Sequence, residues 1–370
     1  LDELSTEVNS RIETAVDSIN TQAEQLAQIN QRIVIAESSY SQPANDLRDQ
    51  RDQLIYDLNK LIKVSTANNS DGSMSVFVGN GQPLVVSNQA TVMTAKPSTQ
   101  DAAKIVVGFE ATTGTSIELP ESLVIGGELG GLVKFRSEAL TRSVNELGRM
   151  AASFALTFNA QHALGQDMLG DAKGPVGAFN ADFFSMANIK PLVSEADSNA
   201  AGATIAVDFS PPSYSANLSN GNFYTNLTYS EYRLTNFDGT NYTLTRLIDG
   251  QSLPPTIPPT VHMDTLANIA SYVAANEGFT ISLTGDTAGN SYLIQPTANA
   301  AAGIALSTVI TADPRKIAIA APFRTVAEST NKGTGVLSAG TMVGGTATSF
   351  STSYLPVEIT YAASTNELSF

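Results

Sequence analysis

A stripe of apolar side chains repeats every four and then three residues along residues 8–36, and it limits the possible folds more than any other feature. Many positions off the stripe are Glu, Asp, Gln, Asn, Ser or Thr. Heptad spacing over about four repeats predicts a long helix that buries one face in a coiled coil or helix bundle. The stripe consists of Val8, Ile12, Ala15, Ile19, Leu26, Ile29, Ile33 and Ala36, with Gln22 in its one gap. Gln22 either fixes the register of the bundle or faces solvent where a partner helix ends.

Two later segments carry stripes of the same spacing. One follows Pro43, which disfavours helix at the residue before it, and this predicts an αα-hairpin with the first helix. The other runs from residue 140 to residue 158. Because all three helices share one spacing, we expect them to pack together as the core of the first domain. The expected packing residues are Leu47, Leu54, Leu58 and Leu61 in the second helix, and Leu140, Val144, Leu147, Ala151, Phe154 and Phe158 in the third.

Between residues 64 and 120 the apolar period changes to that of strands, which predicts inserted β-hairpins. Their expected turns are at Asn80-Gly81 and Thr113-Gly114. Further alternating strands follow residue 190, with one hairpin around Asp238-Gly239, a helix capped by Asp264, and a pair between 279–284 and 292–295. We therefore predict a multidomain α + β chain. Its parts are a helical bundle domain at 1–190 with the β-hairpin insert at 64–120, a mostly antiparallel β domain with one short helix at 191–322, and the truncated start of a second β module at 323–370.

The composition excludes several classes of protein. Cysteine is absent, so disulfide scaffolds, zinc ribbons, thiol nucleophiles and iron–sulfur clusters are excluded. The formal net charge of −15 repels phosphate backbones, and without a basic stripe we expect no nucleic-acid partner. No apolar run approaches the ~20 residues that span a bilayer, so we expect no membrane insertion. Charged residues make up only 15% of the chain, which suits secreted or self-assembling proteins.

Candidate sites for catalysis, cofactors and metals are weak. His162 and His262 each lack a second ligand nearby in the sequence, which favours structural roles. The glycine-rich segment 126–131 does not have the pattern of a phosphate-binding loop, so we expect a tight turn there. Asp167 and Asp171 do not have the spacing of a calcium loop. We therefore predict no catalytic residue, no cofactor, no metal site and no enzymatic activity.

Three short motifs resemble those of one family. Residues 47–54 read LRDQRDQL, and residues 129–137 read LGGLVKFRS. Residues 158–165 read FNAQHALG and are followed by DFF at 182–184. In the same order, these segments resemble the LxDQRDQL, LGG…FRS and FNxQH…G…DFF elements of the flagellar hook-associated protein 1 (FlgK) family. The resemblance covers residues 1–190.

The resemblance implies a structural protein at the junction between the hook and the filament of a bacterial flagellum. Such a protein leaves the cell by flagellar type III export and assembles outside it through its helices. The implied partners are identical subunits in a ring, the hook protein, a second junction protein and other flagellin-family members. An export chaperone would bind a terminus outside this sequence, which we expect to be a fragment. The β domains would face outward.

Two other functions stay open on the sequence. A glycan hydrolase carried in the β region would need two carboxylates roughly 5 to 10 Å apart. Asp208, Glu231, Asp238 and Asp249 are available, but their spacing singles out no pair. A surface adhesin or phage-like stalk protein would explain the composition but not the motifs.

Overall fold

The computed structural model of this 370-residue chain forms two compact units. The first consists of Leu1–Val144, Ser194–Ala201 and Gly289–Leu293, and the second of Asn145–Val193, Gly202–Ala288 and Ile294–Phe370. The division therefore falls after Val144, whereas the sequence predicted a first domain that extends to residue 190. The residues that the structure describes are 1–40, 43–110, 116–169, 182–196, 199–214, 222–255, 263–319, 330, 333–334, 359–362, 364–365 and 367–369.

The first unit combines three helices with two antiparallel sheets. α1 (Asp2–Tyr40) is 39 residues long, and α2 (Asn45–Leu61) packs against it. α3 (Gly127–Phe135) continues directly into a π-helical segment, Arg136–Thr141. The strands are β1 (Val64–Asn68), β2 (Met74–Val78), β3 (Gln82–Val86), β4 (Gln89–Ala90), β5 (Met93–Pro97), β6 (Ile105–Glu110) and β7 (Ser116–Glu118), with a 3-10 turn at Glu121–Leu123. They form the sheets β1-β2-β3-β4 and β5-β6-β7.

The predicted hairpin around Asn80-Gly81 is confirmed, since β2 and β3 pair antiparallel across it. The pairing of β6 with β7 is also as predicted, although the turn at Thr113-Gly114 lies outside the described residues. The glycine-rich segment forms the expected turn into α3. Gly126 and Gly127 both have positive φ, and a Cβ on Gly127 would lie 2.4 Å from the carbonyl carbon of Leu61. This close approach requires glycine there.

The apolar stripe of α1 is buried within this chain. Ile12, Ile19 and Leu26 are fully buried in a core that also contains strand residues such as Val76 and Leu84. The expected packing of α1 against α2 is therefore present, and β-sheets share the cover of a stripe that we expected helices alone to cover. Of the predicted packing residues, Val8, Ile12, Ile19, Leu26, Ile29, Ile33 and Leu58 are buried, and Leu47, Leu54 and Leu61 are half-buried.

Asparagine side chains fix α1 against the two sheets, and we call these contacts the asparagine clamps. Asn30 is fully buried, and its amide donates to the carbonyl oxygens of Met74 and Ser87, each at 2.7 Å. Its Oδ1 accepts from the backbone N–H of Met74 at 3.1 Å. The side-chain amide hydrogen-bonds to both a backbone N–H and a backbone carbonyl oxygen, which folding has removed from water. Buried polar groups require such partners. The other two clamps join Asn20 to Met93 and Asn9 to Ala103.

Replacing Asn30 with aspartate should lower the free energy of unfolding of the first unit by at least about 2 kcal/mol. The change removes both donated hydrogen bonds and places a charge among buried carbonyl oxygens. Urea unfolding followed by circular dichroism would measure the loss. Gln28→Glu is the matched control, because Gln28 is exposed on the same helix and the change also creates a carboxylate. Equal unfolding midpoints for the two variants would contradict the assigned role of Asn30.

The second unit contains most of α4 (Arg142–His162) and the greater part of the β structure. β14, β13 and β12 belong to a sheet of the order β14-β13-β12-β17-β8, in which β15 also pairs with β13, and the division into units cuts through β8 and β17. β9 pairs with β16, and α5 packs on β16. The strands are β8 (Leu192–Glu195), β9 (Thr204–Phe209), β10 (Ser213–Tyr214), β11 (Phe223–Tyr224), β12 (Tyr232–Asn236), β13 (Asn241–Arg246), β14 (Gln251–Leu253), β15 (Asp264–Thr265), β16 (Phe279–Thr284), β17 (Ser291–Gln295), β18 (Thr360–Ala362) and β19 (Glu367–Ser369). The helices are α5 (Leu266–Asn276), α6 (Ala300–Gly303) and α7 (Thr308–Ala312), with a 3-10 turn at Pro314–Lys316.

Two local predictions in this unit are wrong. β16 and β17 do not pair with each other, since β16 pairs with β9 and β17 lies between β12 and β8. An alternating pattern identifies strands but does not specify their partners. The cap of α5 is Thr265, whose hydroxyl accepts from the N–H of Asn268, and Asp264 instead binds the side chain of Asn268.

Other predictions agree with the structure or fall outside it. β12 and β13 form the hairpin expected around Asp238-Gly239, and the predicted α + β class is confirmed. In the proposed second module at 323–370, β18 pairs with β19, but most of that segment lies outside the described residues. Within the described part of the chain, the helices are too short or too polar to cross a bilayer.

Candidate assembly surface

α4 packs into the second unit through its small and polar residues. Ala152 and Ala155 are fully buried in the core of this unit. Gly148 comes so close to the loop after β17 that a Cβ on it would lie 1.8 Å from the carbonyl oxygen of Thr297. Small side chains thus allow the helix backbone to contact its neighbours directly. The buried residues of α4 are Asn145, Gly148, Ala152, Ala155, Asn159 and His162.

The large apolar side chains of α4 lie on a different face, roughly 110° around the helix at 3.6 residues per turn. We call this face the α4 platform. The exposed fractions of its residues are 45% for Leu147, 55% for Met150, 53% for Phe154 and 38% for Phe158.

The sequence predicted that Leu147, Phe154 and Phe158 share a core with the first two helices, and this part of the prediction is wrong. Leu147, Phe154 and Phe158 are exposed in this chain, and the core around α1 includes no described residue of α4. The physical reason is that the buried face of α4 uses Gly and Ala for close approach, so its large residues point elsewhere. The predicted residue Leu140 is buried in the π-helical segment, and Val144 is half-buried.

An aromatic cluster adjoins the C-terminal half of the α4 platform. The ring of Phe158 lies 4.7 Å from that of Phe183 and 5.4 Å from that of Phe184. Phe154 lies 5.2 Å from Phe184. Aromatic pairs at these tilted geometries contribute about 0.5 to 1.5 kcal/mol each beyond their buried area. The cluster therefore gives this end of the platform a fixed shape.

Asn159 holds the aromatic cluster in place with a pair of hydrogen bonds. Its amide donates to the carbonyl oxygen of Phe184 at 2.9 Å, and its Oδ1 accepts from the N–H of Phe184 at 2.8 Å. Phe184 also bridges to Leu306, which is 46% exposed. The FNAQHALG and DFF motifs thus meet in space. Both motifs stand out in the sequence, but their contact was not predicted from it.

Arg136, from the LGGLVKFRS motif, is a buried cation at the start of the π-helical segment. It donates to the carbonyl oxygen of Ile105, and its other terminal nitrogen lies 2.7 Å from Glu121 Oε1. The Lys104 ammonium is 3.0 Å from the same oxygen. Burial by itself raises the pKa of Glu121, but attraction from Lys104 and Arg136 outweighs it and holds that pKa below its ordinary value.

Acid should therefore weaken the first unit through Glu121. When the pKa of a carboxyl is lower in the folded state than in the unfolded state, its charged form stabilises the fold. This contribution is fully present above the unfolded pKa of about 4.3, and it is lost as the pH falls through the folded pKa. Between pH 7 and pH 3, the wild-type chain should lose more unfolding free energy than Glu121→Gln. Urea titrations at each pH would measure this, with the exposed Glu13→Gln as control. If Glu121→Gln and Glu13→Gln give the same pH profile, the assignment to Glu121 fails.

Of the four carboxylates considered for a hydrolase, three accept side-chain hydrogen bonds and the fourth is exposed. Asp238 accepts its hydrogen bonds from the turn before β13 and from Asn241, and Asp249 pairs with Arg246 at 2.7 Å. Glu231 accepts from Gln295 and Asn145, and Asp208 lies exposed on β9. Among the described residues, no group of three or more His, Asp or Glu could hold a metal ion. His262 and Asp171 lie outside the described residues.

Comparison with known proteins agrees with these motifs. The model of the flagellar hook-associated protein FlgK helical domain matches residues 1–179. The chain is 32% identical to flagellar hook-associated protein 1 of Escherichia coli K12, over 85% of this chain and 51% of that protein. It is 33% identical to the Salmonella typhimurium protein of the same name, over 80% of this chain and 48% of that protein. The chain belongs to the FlgK family.

A solved FlgK structure supports the fold of the present chain. The flagellar hook junction protein FlgK from Burkholderia pseudomallei matches with a TM-score of 0.70 and 32% identity, over 90% of this chain and 55% of that one. The family predicted from the three motifs is thereby confirmed. The chain spans about half the length of the FlgK relatives that it matches.

Proposed function

We propose that this chain is a structural part of the junction between hook and filament in a bacterial flagellum. It acts there by assembly rather than by catalysis. The relatives carry the name hook-associated protein 1, and the solved one is described as a hook junction protein. These likenesses support the proposal. The observation that carries it is the α4 platform, a row of exposed large apolar residues on an otherwise well-packed helix.

The platform has the geometry of a helix-binding surface. Its apolar residues run from Leu147 to Phe158, a rise of about 16 Å at 1.5 Å per residue. Their spacing of three and four residues suits the knobs of a second amphipathic helix rather than a strand. Exposed apolar patches of this kind mark interaction sites in soluble proteins. We propose that a helix of another axial subunit packs here, first of all one from an identical subunit in a ring.

The proposal extends to partners and place. The hook protein, a second junction protein and other flagellin-family members contact the ring, and a chaperone keeps the subunit competent for export by the type III route. The assembled protein is extracellular. Because the core of the first unit buries the α1 stripe, we assign assembly to Leu147, Phe154 and Phe158 of α4 and give the α1 residues a role in stability.

The variant Leu147→Ser/Met150→Ser should abolish filament attachment while leaving the chain folded. Neither residue belongs to the aromatic cluster, and both are exposed, so each change should alter the unfolding free energy by less than about 0.5 kcal/mol. The full-length protein that contains this chain would be expressed in a motile bacterium whose own hook-associated protein 1 gene is deleted. Swimming and attached filaments would then be counted.

Leu247→Ser/Met263→Ser is the matched control. It makes the same two substitutions at exposed residues outside the platform, and it should restore swimming like the wild type. Normal swimming by the platform variant would refute the assembly role of the platform. Failure of the wild-type protein to restore swimming would instead refute the junction function.

A further inference from the structure

His162 ends α4 and is buried, with 6% of its surface exposed. Its ring stacks at 19° to that of Phe158, with the centroids 6.5 Å apart, and lies 5.6 Å from Phe183. Its Nε2 accepts a hydrogen bond from the backbone N–H of Ala318 at 2.9 Å. An Nε2 that accepts carries no proton, so this contact requires the neutral ring with its proton on Nδ1.

The Ala318 contact belongs to a short strap, which we define as residues 315–319. The N–H of Met168 donates to the carbonyl oxygen of Arg315 at 2.9 Å, and the N–H of Ile319 donates to that of Gln166 at 3.1 Å. Two backbone bonds and one imidazole bond thus hold the strap against the turn that follows α4. His162 supplies the only titratable acceptor among these three bonds.

Protonation of His162 would convert the acceptor into a donor that faces the N–H of Ala318. Two N–H groups that face each other in a buried site repel, and each loses its hydrogen bond. An unperturbed imidazole changes charge between about pH 5 and pH 8, and burial disfavours its charged form. The neutral ring favours the strapped state, and acid favours its release.

Charged groups on the neighbouring segments set where the change occurs. Carboxylates favour the imidazolium form and cations oppose it, while the C-terminal end of a helix favours the cation. The described charged residues of the turn after α4, of the segment that contains Phe183 and of the 3-10 turn and strap are Asp167, Asp182, Asp313, Arg315 and Lys316.

We propose that His162 is an acid-sensitive latch. With a neutral imidazole it holds the strap against the end of α4, and on protonation it releases the strap. This inference concerns the C-terminal end of α4 and does not depend on the proposed junction function.

Amide hydrogen exchange of the intact 370-residue chain, followed by NMR, tests the latch. After correction for intrinsic exchange rates, protection of the Ala318 amide should fall at least tenfold between pH 8 and pH 5. The midpoint of this loss should coincide with the titration of the His162 ring carbon signals. The Phe184 amide is an internal control, because it donates to the non-titrating Oδ1 of Asn159 one turn earlier in α4.

In His162→Gln, the side-chain oxygen can accept from the same N–H without titrating, so protection at Ala318 should no longer fall in acid. Constant protection at Ala318 in the wild type, an equal loss at Phe184, or a midpoint that differs from that of the His162 ring would each overturn the proposal. The same acid-induced loss in His162→Gln would also overturn it. The wild-type comparison of midpoints decides the question if that variant does not fold.

Discussion

Replacing Ile19 with alanine is expected to destabilise the isolated chain by about 2 to 5 kcal/mol. Ile19 is fully buried in the core that α1 forms with the other helices and the sheets of the same unit, so truncation leaves a cavity within the isolated chain. Urea unfolding of the purified monomer would measure the loss, and hydrogen exchange by mass spectrometry would locate it in the first unit. Ile19→Asp should unfold this unit altogether, because it buries an unpaired charge.

The control for Ile19 is Ile35→Ala on the same helix. Ile35 is 56% exposed, so this truncation should change the unfolding free energy by less than about 0.5 kcal/mol. If Ile19→Ala left the monomer as stable as the wild type and impaired only assembly, the α1 stripe would be an interface between subunits. The coiled-coil interpretation of α1 would then hold after all.

Gly148→Ala is expected to destabilise the second unit by about 1 to 3 kcal/mol or more. The new methyl group would lie 1.8 Å from the carbonyl oxygen of Thr297, and a backbone atom cannot move aside as the end of a flexible side chain can. α4 would have to shift away from this loop. Thermal unfolding and hydrogen exchange of α4 would report the change.

Gly131→Ala is the matched control for Gly148→Ala, and it is expected to stabilise the protein. Gly131 also lies inside a helix, but a Cβ added to it would have no other atom within 4 Å. Alanine there should raise stability by up to about 1 kcal/mol, since glycine is a poor helix former. If both substitutions stabilised the protein, the close approach at Gly148 would be disproved.

The periodicity of the sequence predicted the helices well, because a stripe of four-and-three spacing needs only local geometry. α1, α2 and α4 all form where the stripes predict them. The same pattern could not predict what covers each stripe. For α1 the cover consists of α2, α3 and two β-sheets. For the α4 platform the described part of the chain supplies the cluster around Phe183 and Phe184.

Only part of the candidate assembly surface could be predicted from the sequence. Leu147, Phe154 and Phe158 stood out as large apolar residues, but whether they are buried depends on Gly148, Ala152 and Ala155 on the next face of the helix. Asn30 gave no signal, since an isolated asparagine in a helix is ordinarily a solvated residue, and Asn159 stood out only as a member of the FNAQHALG motif, which does not specify its partner. Their hydrogen-bond partners are 44 and 25 residues away in the chain, a distance over which local patterns carry no information.

The asparagine clamps also determine which insertions and deletions in α1 would leave its contacts with the sheets intact. Asn9, Asn20 and Asn30 recur at intervals of 11 and 10 residues, close to three helical turns, so all three reach strands on one side of the rod. Deleting a single residue between two of them would rotate one end of α1 by about 100° relative to the other and detach at least one sheet. We therefore expect α1 to accept only those insertions and deletions that add or remove a nearly whole number of helical turns.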